Sequence, residues 1–144
     1  MTSLLARAWH RINEPRTISV LYFVSYLVLT AGGVTALVIP PTSLEGEIGA
    51  TAMTMLASLL VFGGSIGSVS ALPGIYWLER FAVGAIASSA TIYLLIIVTL
   101  HFTSTGNRLL QAAFVCSVLL HQGVRWMRIR ERPYRPEAAT AAEV

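Results

Sequence analysis

The sequence predicts an all-α integral membrane protein with four transmembrane helices, and three observations predict it. The first is composition. Of 144 residues, 55% are hydrophobic and 12% charged, with a mean hydropathy of +0.68, whereas soluble domains are about one-quarter charged. The second is length of run. A bilayer core takes about 20 apolar residues per helix, and such runs occupy about 17–39, 48–72, 81–100 and 109–127. The third is charge placement. Arg7, Arg11 and Arg16 precede the first run, Arg80 lies in the second connection, and Arg125, Arg128, Arg130, Arg132 and Arg135 lie in the tail; a four-span chain puts all of them on one side. The other side holds Arg108, with Glu45 and Glu47. Short cytoplasmic segments carry the excess positive charge, so both termini are expected in the cytoplasm.

Residues 1–16 read as an amphipathic interfacial segment. Leu4, Leu5, Ala8, Trp9 and Ile12 fill one side of a helix, and Arg7, His10, Arg11 and Glu14 fill the other, the pattern of a helix lying in the membrane interface. Pro15 ends it. The first span is too long for a signal-peptide core, and no small-x-small cleavage site follows it. Pro40-Pro41 stops that span, and Thr42 with Glu45 has capping-box spacing, which would start the second helix soon after Pro41.

The second span ends in "VFGGSIGSVSALPG", Val61 to Gly74. Its glycines lack the spacing of a dinucleotide fingerprint or a P-loop, and the chain has no Lys, so a phosphate-binding reading fails. On a helix, Gly63, Gly67, Ser70 and Ala71 share a face of the small-xxx-small type that lets helix backbones approach in lipid. Packing within one chain is preferred over an interface between copies. If the face only needs to be small, Gly67→Ala should be nearly silent. A similar face, Gly84, Ala87, Ser88 and Thr91, recurs in the third span.

The turn "PGIYWLER" sets Tyr76 and Trp77 at the interfacial belt, with Glu79 favoured near the positive N-terminal end of the third helix. The fourth span reaches Trp126 and Met127 if Arg125 snorkels to the interface. Residues 128–144 form a basic and then Pro- and Ala-rich tail with little to bury. Arg125, Arg128 and Arg132 share one helical side, so anionic inner-leaflet lipid is the expected partner; nucleic acid is not.

Polar side chains inside spans are costly and therefore candidates for function. Gln111, Gln122 and Arg125 share a face of the fourth span, with His121 at its edge. Two readings stay open: a polar lining for water in an assembly, and hydrogen bonding between helices. His101 and His121 lie towards the ends of their spans, where the interface satisfies them. No nucleophile, base and orienting group can be assembled, so no enzyme, cofactor or metal is expected. Cys116, the single cysteine, is read as structural.

Seven short motifs carry a resemblance: "NEPRT" (Asn13 to Thr17), "PP" (Pro40-Pro41), "GGSIG" (Gly63 to Gly67), "LER" (Leu78 to Arg80), "GNRLLQ" (Gly106 to Gln111), "RIR" (Arg128 to Arg130) and "RPE" (Arg135 to Glu137). In this order, over nearly the whole chain, the sequence resembles small four-span membrane proteins of actinobacteriophages, commonly described as holin-like. The resemblance implies oligomers in the host cytoplasmic membrane that permeabilise it for lysis, with a functional link to an endolysin. It brings no catalytic residues. A non-pore accessory protein, for superinfection exclusion or partner binding, is the alternative. A small proton-coupled transporter ranks last, because Glu14 precedes Pro15 and falls outside the first span.

Overall fold

The computed structural model describes residues 16–41, 46, 48–103 and 106–130, the side chain of Arg16 excepted. It contains four long helices, α1 (Arg16–Val38), α2 (Ala50–Ala71), α3 (Tyr76–Thr103) and α4 (Leu109–Arg130). Three of them, α1 to α3, are long and apolar enough to cross a membrane, which makes this a multi-pass membrane protein. The fourth expected span, 109–127, coincides with α4, which is less apolar than the other three helices. The amphipathic segment 1–15 and the tail from residue 131 lie outside the described residues, together with Arg7, Trp9, Arg11 and Arg132.

Boundaries follow local chemistry. Gly49, at φ 82°, precedes α2 with no side-chain cap, a backbone region that glycine enters without steric penalty. The long helix therefore begins at Ala50, although Gly46 and Ile48 ahead of it are also helical. Thr42 and Glu45 lie outside the described residues. At its other end, Ser70 O accepts from both Gly74 N and Ile75 N at 3.1 Å, while Gly74 takes φ 73°. A short turn then reverses the chain into α3. That helix starts at Tyr76, earlier than the hydropathy boundary at Phe81, because Glu79 and Arg80 both find partners inside the protein.

Each helix packs antiparallel on its sequence neighbour. The α1–α2 contact is close because glycines line it. A Cβ on Gly33 would stand 2.8 Å from Val61 Cγ2, and one on Gly64 would stand 2.9 Å from the Tyr26 carbonyl oxygen. Across the α2–α3 contact, a Cβ on Gly63 would meet Ala82 O at 2.9 Å and Ile86 Cγ1 at 2.8 Å. The Ser89 hydroxyl adds a buried bond between these helices, donating to Leu56 O at 3.0 Å. One core cluster joins Tyr22, Tyr26, Ala71 and Ile86; a second joins Ala90, Ile97 and Val115 towards the other end. The exterior is apolar, with Phe62, Phe81, Leu95, Phe102, Phe114 and Leu120 all exposed, as a hydrocarbon solvent permits.

Candidate functional site

The most concentrated polar chemistry sits at the end of the bundle where α3 begins and α4 ends. Glu79, in the first turn of α3, is fully buried. Its carboxylate receives Arg125 in the fork geometry: Nε donates to Oε1 and Nη2 to Oε2, each at 2.7 Å. The Tyr26 hydroxyl of α1 donates to the same Oε1 at 3.0 Å. Tyr22, one turn earlier on α1, lies under the guanidinium, whose Cζ is 4.4 Å from the ring centroid. His121 also stacks on Tyr22, with centroids 4.5 Å apart and planes inclined by 29°. Thus α1, α3 and α4 are tied through one carboxylate and one guanidinium.

The physical reason is desolvation. Each buried ion alone costs several kcal/mol, and the pair is tolerable only with good geometry and with its remaining hydrogen-bonding capacity filled. A bidentate guanidinium supplies that geometry, and the Tyr26 hydroxyl fills a further acceptor site. The Tyr22 face contributes a cation–π contact. Arg80 performs a related task one residue on: its Nη2 donates to Ile129 O at 2.9 Å and Arg130 O at 2.8 Å. These are carbonyls of the last turn of α4, where a cation is favoured by the helix dipole.

Arg125 is therefore a correction to the sequence reading. It was expected at the lipid interface and is only 5% exposed, because Glu79 neutralises it more effectively than the interface could. Glu79 in turn meets a specific cation as well as the helix end. Trp77, Trp126 and Arg128 are exposed. The Gln111 amide donates to the Tyr93 hydroxyl at 2.8 Å, a bond between α4 and α3. His121 is exposed and Gln122 buried, so the polar residues of α4 divide among different surroundings and form no continuous lining within this chain. Cys116 is exposed.

The two small-residue faces also part ways. Gly63, Gly67, Ser70 and Ala71 are buried inside the bundle, whereas Gly84 and Ser88 are exposed, and none of the described residues lies within 4 Å of a Cβ placed on Gly84. The expectation for Gly67→Ala fails: its Cβ would lie 2.7 Å from Tyr26 Cγ and Cδ1. Glycine is needed there because an aromatic ring lies flat on the helix backbone.

The ion pair was missed because the charges stand 46 residues apart and each has a plausible local explanation. The available signal was an acidic residue and an arginine at the same end of two adjacent apolar runs, where an intramembrane ionisable group calls for a partner. No group of three or more His, Cys, Asp or Glu residues suited to a metal ion occurs among the described residues. Comparison with protein-family models, curated proteins and solved structures finds no match.

Proposed function

We propose that this chain is a holin-like phage membrane protein: four spans with both termini cytoplasmic, acting by self-association in the host cytoplasmic membrane and permeabilising it for an endolysin. The outward stripe on α3 carries the reading. Gly84, Ser88 and Thr91 recur at helical spacing, all exposed, and Phe81 and Leu95 extend the same exposed stripe. Thr91 donates to its own helix, at Ala87 O, 2.8 Å away, so the stripe can meet lipid before assembly and another helix after it. Small residues on such a face permit close backbone approach between copies. The resemblance to small phage membrane proteins supports the same conclusion.

Induced expression in a bacterium, with a potential-sensitive dye and culture turbidity recorded with and without a cytoplasmic endolysin, tests it. The potential should collapse and the endolysin-bearing culture should clear; Gly84→Leu should delay both. A potential that stays intact throughout induction rejects the permeabilising role.

One observation favours a second reading, a non-pore accessory protein that binds a membrane partner. The charged groups within the bundle are mutually satisfied at one end, and the cavity further along is lined almost wholly by apolar side chains such as Leu29, Met53, Leu56 and Val118. Under this reading expression leaves the potential intact, and Gly84→Leu reduces cross-linking to the partner.

A further inference from the structure

The seam between α1 and α4 contains a polar demand that the described residues do not meet. Gln122 is 1% exposed, and neither its amide nitrogen nor its oxygen has a hydrogen-bond partner in the described structure. It borders an open groove of about 440 Å³ along the seam. The groove walls are Val24, Val28 and Leu29 of α1 facing Phe114 and Val118 of α4. Ser25 and Ser117 also line it, but each hydroxyl already donates to its own helix, to Leu21 O at 2.9 Å and Ala113 O at 3.0 Å. His121, exposed and stacked on Tyr22, lines the groove too, and the unmet buried donor is the Gln122 amide. Leu29 and Val118 separate this groove from the inner cavity of about 290 Å³, whose lining they share.

The groove has a charged end. Phe114, Val118, His121, Arg125 and Arg128 follow one stripe of α4 at helical spacing, and Arg128 is exposed. Arg125 is neutralised by Glu79, so Arg128, about two turns past the lining residue His121, is the exposed cation on this stripe beyond the mouth. From Gln122 to Arg128 the helix rises about 9 Å at 1.5 Å per residue. A cation beyond the mouth, an amide donor further in, and then an apolar trough follow the order of a phospholipid's phosphate, ester carbonyls and acyl chain.

We propose that the α1–α4 seam is a binding site for one anionic phospholipid of the surrounding leaflet. Its phosphate sits against Arg128 and one acyl chain lies in the trough between Val28 and Phe114, while the Gln122 side chain, closed off from the groove in the described structure, turns outward so that Nε2 donates to an ester carbonyl. Water of the ester region supplies the donor for Gln122 Oε1. The lipid covers an interhelical surface that the described side chains leave open, and so fastens α1 to α4 beyond the reach of the Tyr22–Arg125 contact. The site depends on the protein's being embedded in a bilayer and not on the lysis reading.

The test uses the full chain in vesicles, with Trp9, Trp77 and Trp126 replaced by Phe and Phe114→Trp as a reporter in the groove. Brominated phosphatidylglycerol or brominated phosphatidylcholine is mixed at equal mole fraction into an otherwise unlabelled bilayer of both lipids. One arginine near an anionic surface corresponds to roughly fivefold selectivity, so quenching should report phosphatidylglycerol in the groove about fivefold over phosphatidylcholine. Arg128→Gln should abolish the preference. Ser117→Phe, a substitution at an exposed position, should fill the groove and abolish it as well while circular dichroism stays unchanged. Gln122→Leu should lower occupancy of both lipids; if that variant does not fold, the other two still decide. Equal quenching by the two lipids, or a preference that survives both Arg128→Gln and Ser117→Phe, overturns the proposal. A second copy seated in the seam also overturns it, and shows as loss of cross-linked dimer in Ser117→Phe with no change in lipid selectivity.

Discussion

Gly67 and Gly84 look alike in the sequence, and their surroundings separate them. A methyl group at 67 must push into the Tyr26 ring, from 2.7 Å, and that ring carries the hydroxyl bonded to Glu79. Overpacking of this kind costs about 1–3 kcal/mol, so Gly67→Ala should lower the melting temperature in detergent while Gly84→Ala leaves it unchanged. Equal melting of the two variants would mean that the ring does not press on the backbone at 67. Removing a charge at Glu79 should be felt more strongly. Glu79→Gln leaves Arg125 buried without its counter-ion, a loss of about 3–5 kcal/mol where a buried pair is broken from one side. Arg125→Lys should recover little of the stability, because an ammonium cannot reproduce the two parallel bonds. Thermal denaturation of Glu79→Gln and Arg125→Lys beside the parent protein in one detergent decides it; full stability of Arg125→Lys would mean that charge alone matters.

At the scale of elements, α3 organises the bundle's charged end. Its first turn holds Glu79 for Arg125 and Arg80 for the last carbonyls of α4. A cation at a helix C-terminus is favoured by the helix dipole as well as by the bonds themselves. Replacing Arg80 by Gln should cost about 1 kcal/mol and should speed hydrogen exchange in the last turn of α4, from Trp126 to Arg130, with α2 unaffected. Unchanged exchange there would show that the turn is held by other contacts. The α1–α2 pair relies on a different device: Gly33 and Gly64 bring the two backbones together, with dispersion rather than charge holding them.

For the molecule as a whole, the proposed arrangement has α4 crossing the membrane beside the three more apolar helices α1 to α3. Its run is less apolar and ends in Arg128 and Arg130, but it packs along α3 in antiparallel register, with Gln111 against Tyr93 near one end and Arg125 against Glu79 near the other. Four crossings put Asn107 and Arg135 on opposite sides. With Cys116 replaced, a cysteine at Asn107 should react with an impermeant thiol reagent in intact cells, and one at Arg135 should react only after permeabilisation. Labelling of both positions from outside would place both flanks of α4 on the same face.

The sequence by itself determined the all-helical membrane class and the approximate positions of α1 to α3, because hydrocarbon selects long uninterrupted apolar runs and the backbone must satisfy itself within them. It also showed that the glycines of "GGSIG" belong to a helix contact, since their spacing fits no phosphate loop. Tertiary structure alone decided what each small or charged residue touches. Helical periodicity places Gly67 and Gly84 on faces of their own helices but does not say which face turns inward; Tyr26 occupies one and none of the described residues occupies the other. In the same way, a lone Arg near a span end has a ready partner in the interface, and only the approach of α3 to α4 supplies Glu79 instead. Local sequence reports the cost of burying a charge. The partner that offsets it is set by the packing of segments distant along the chain.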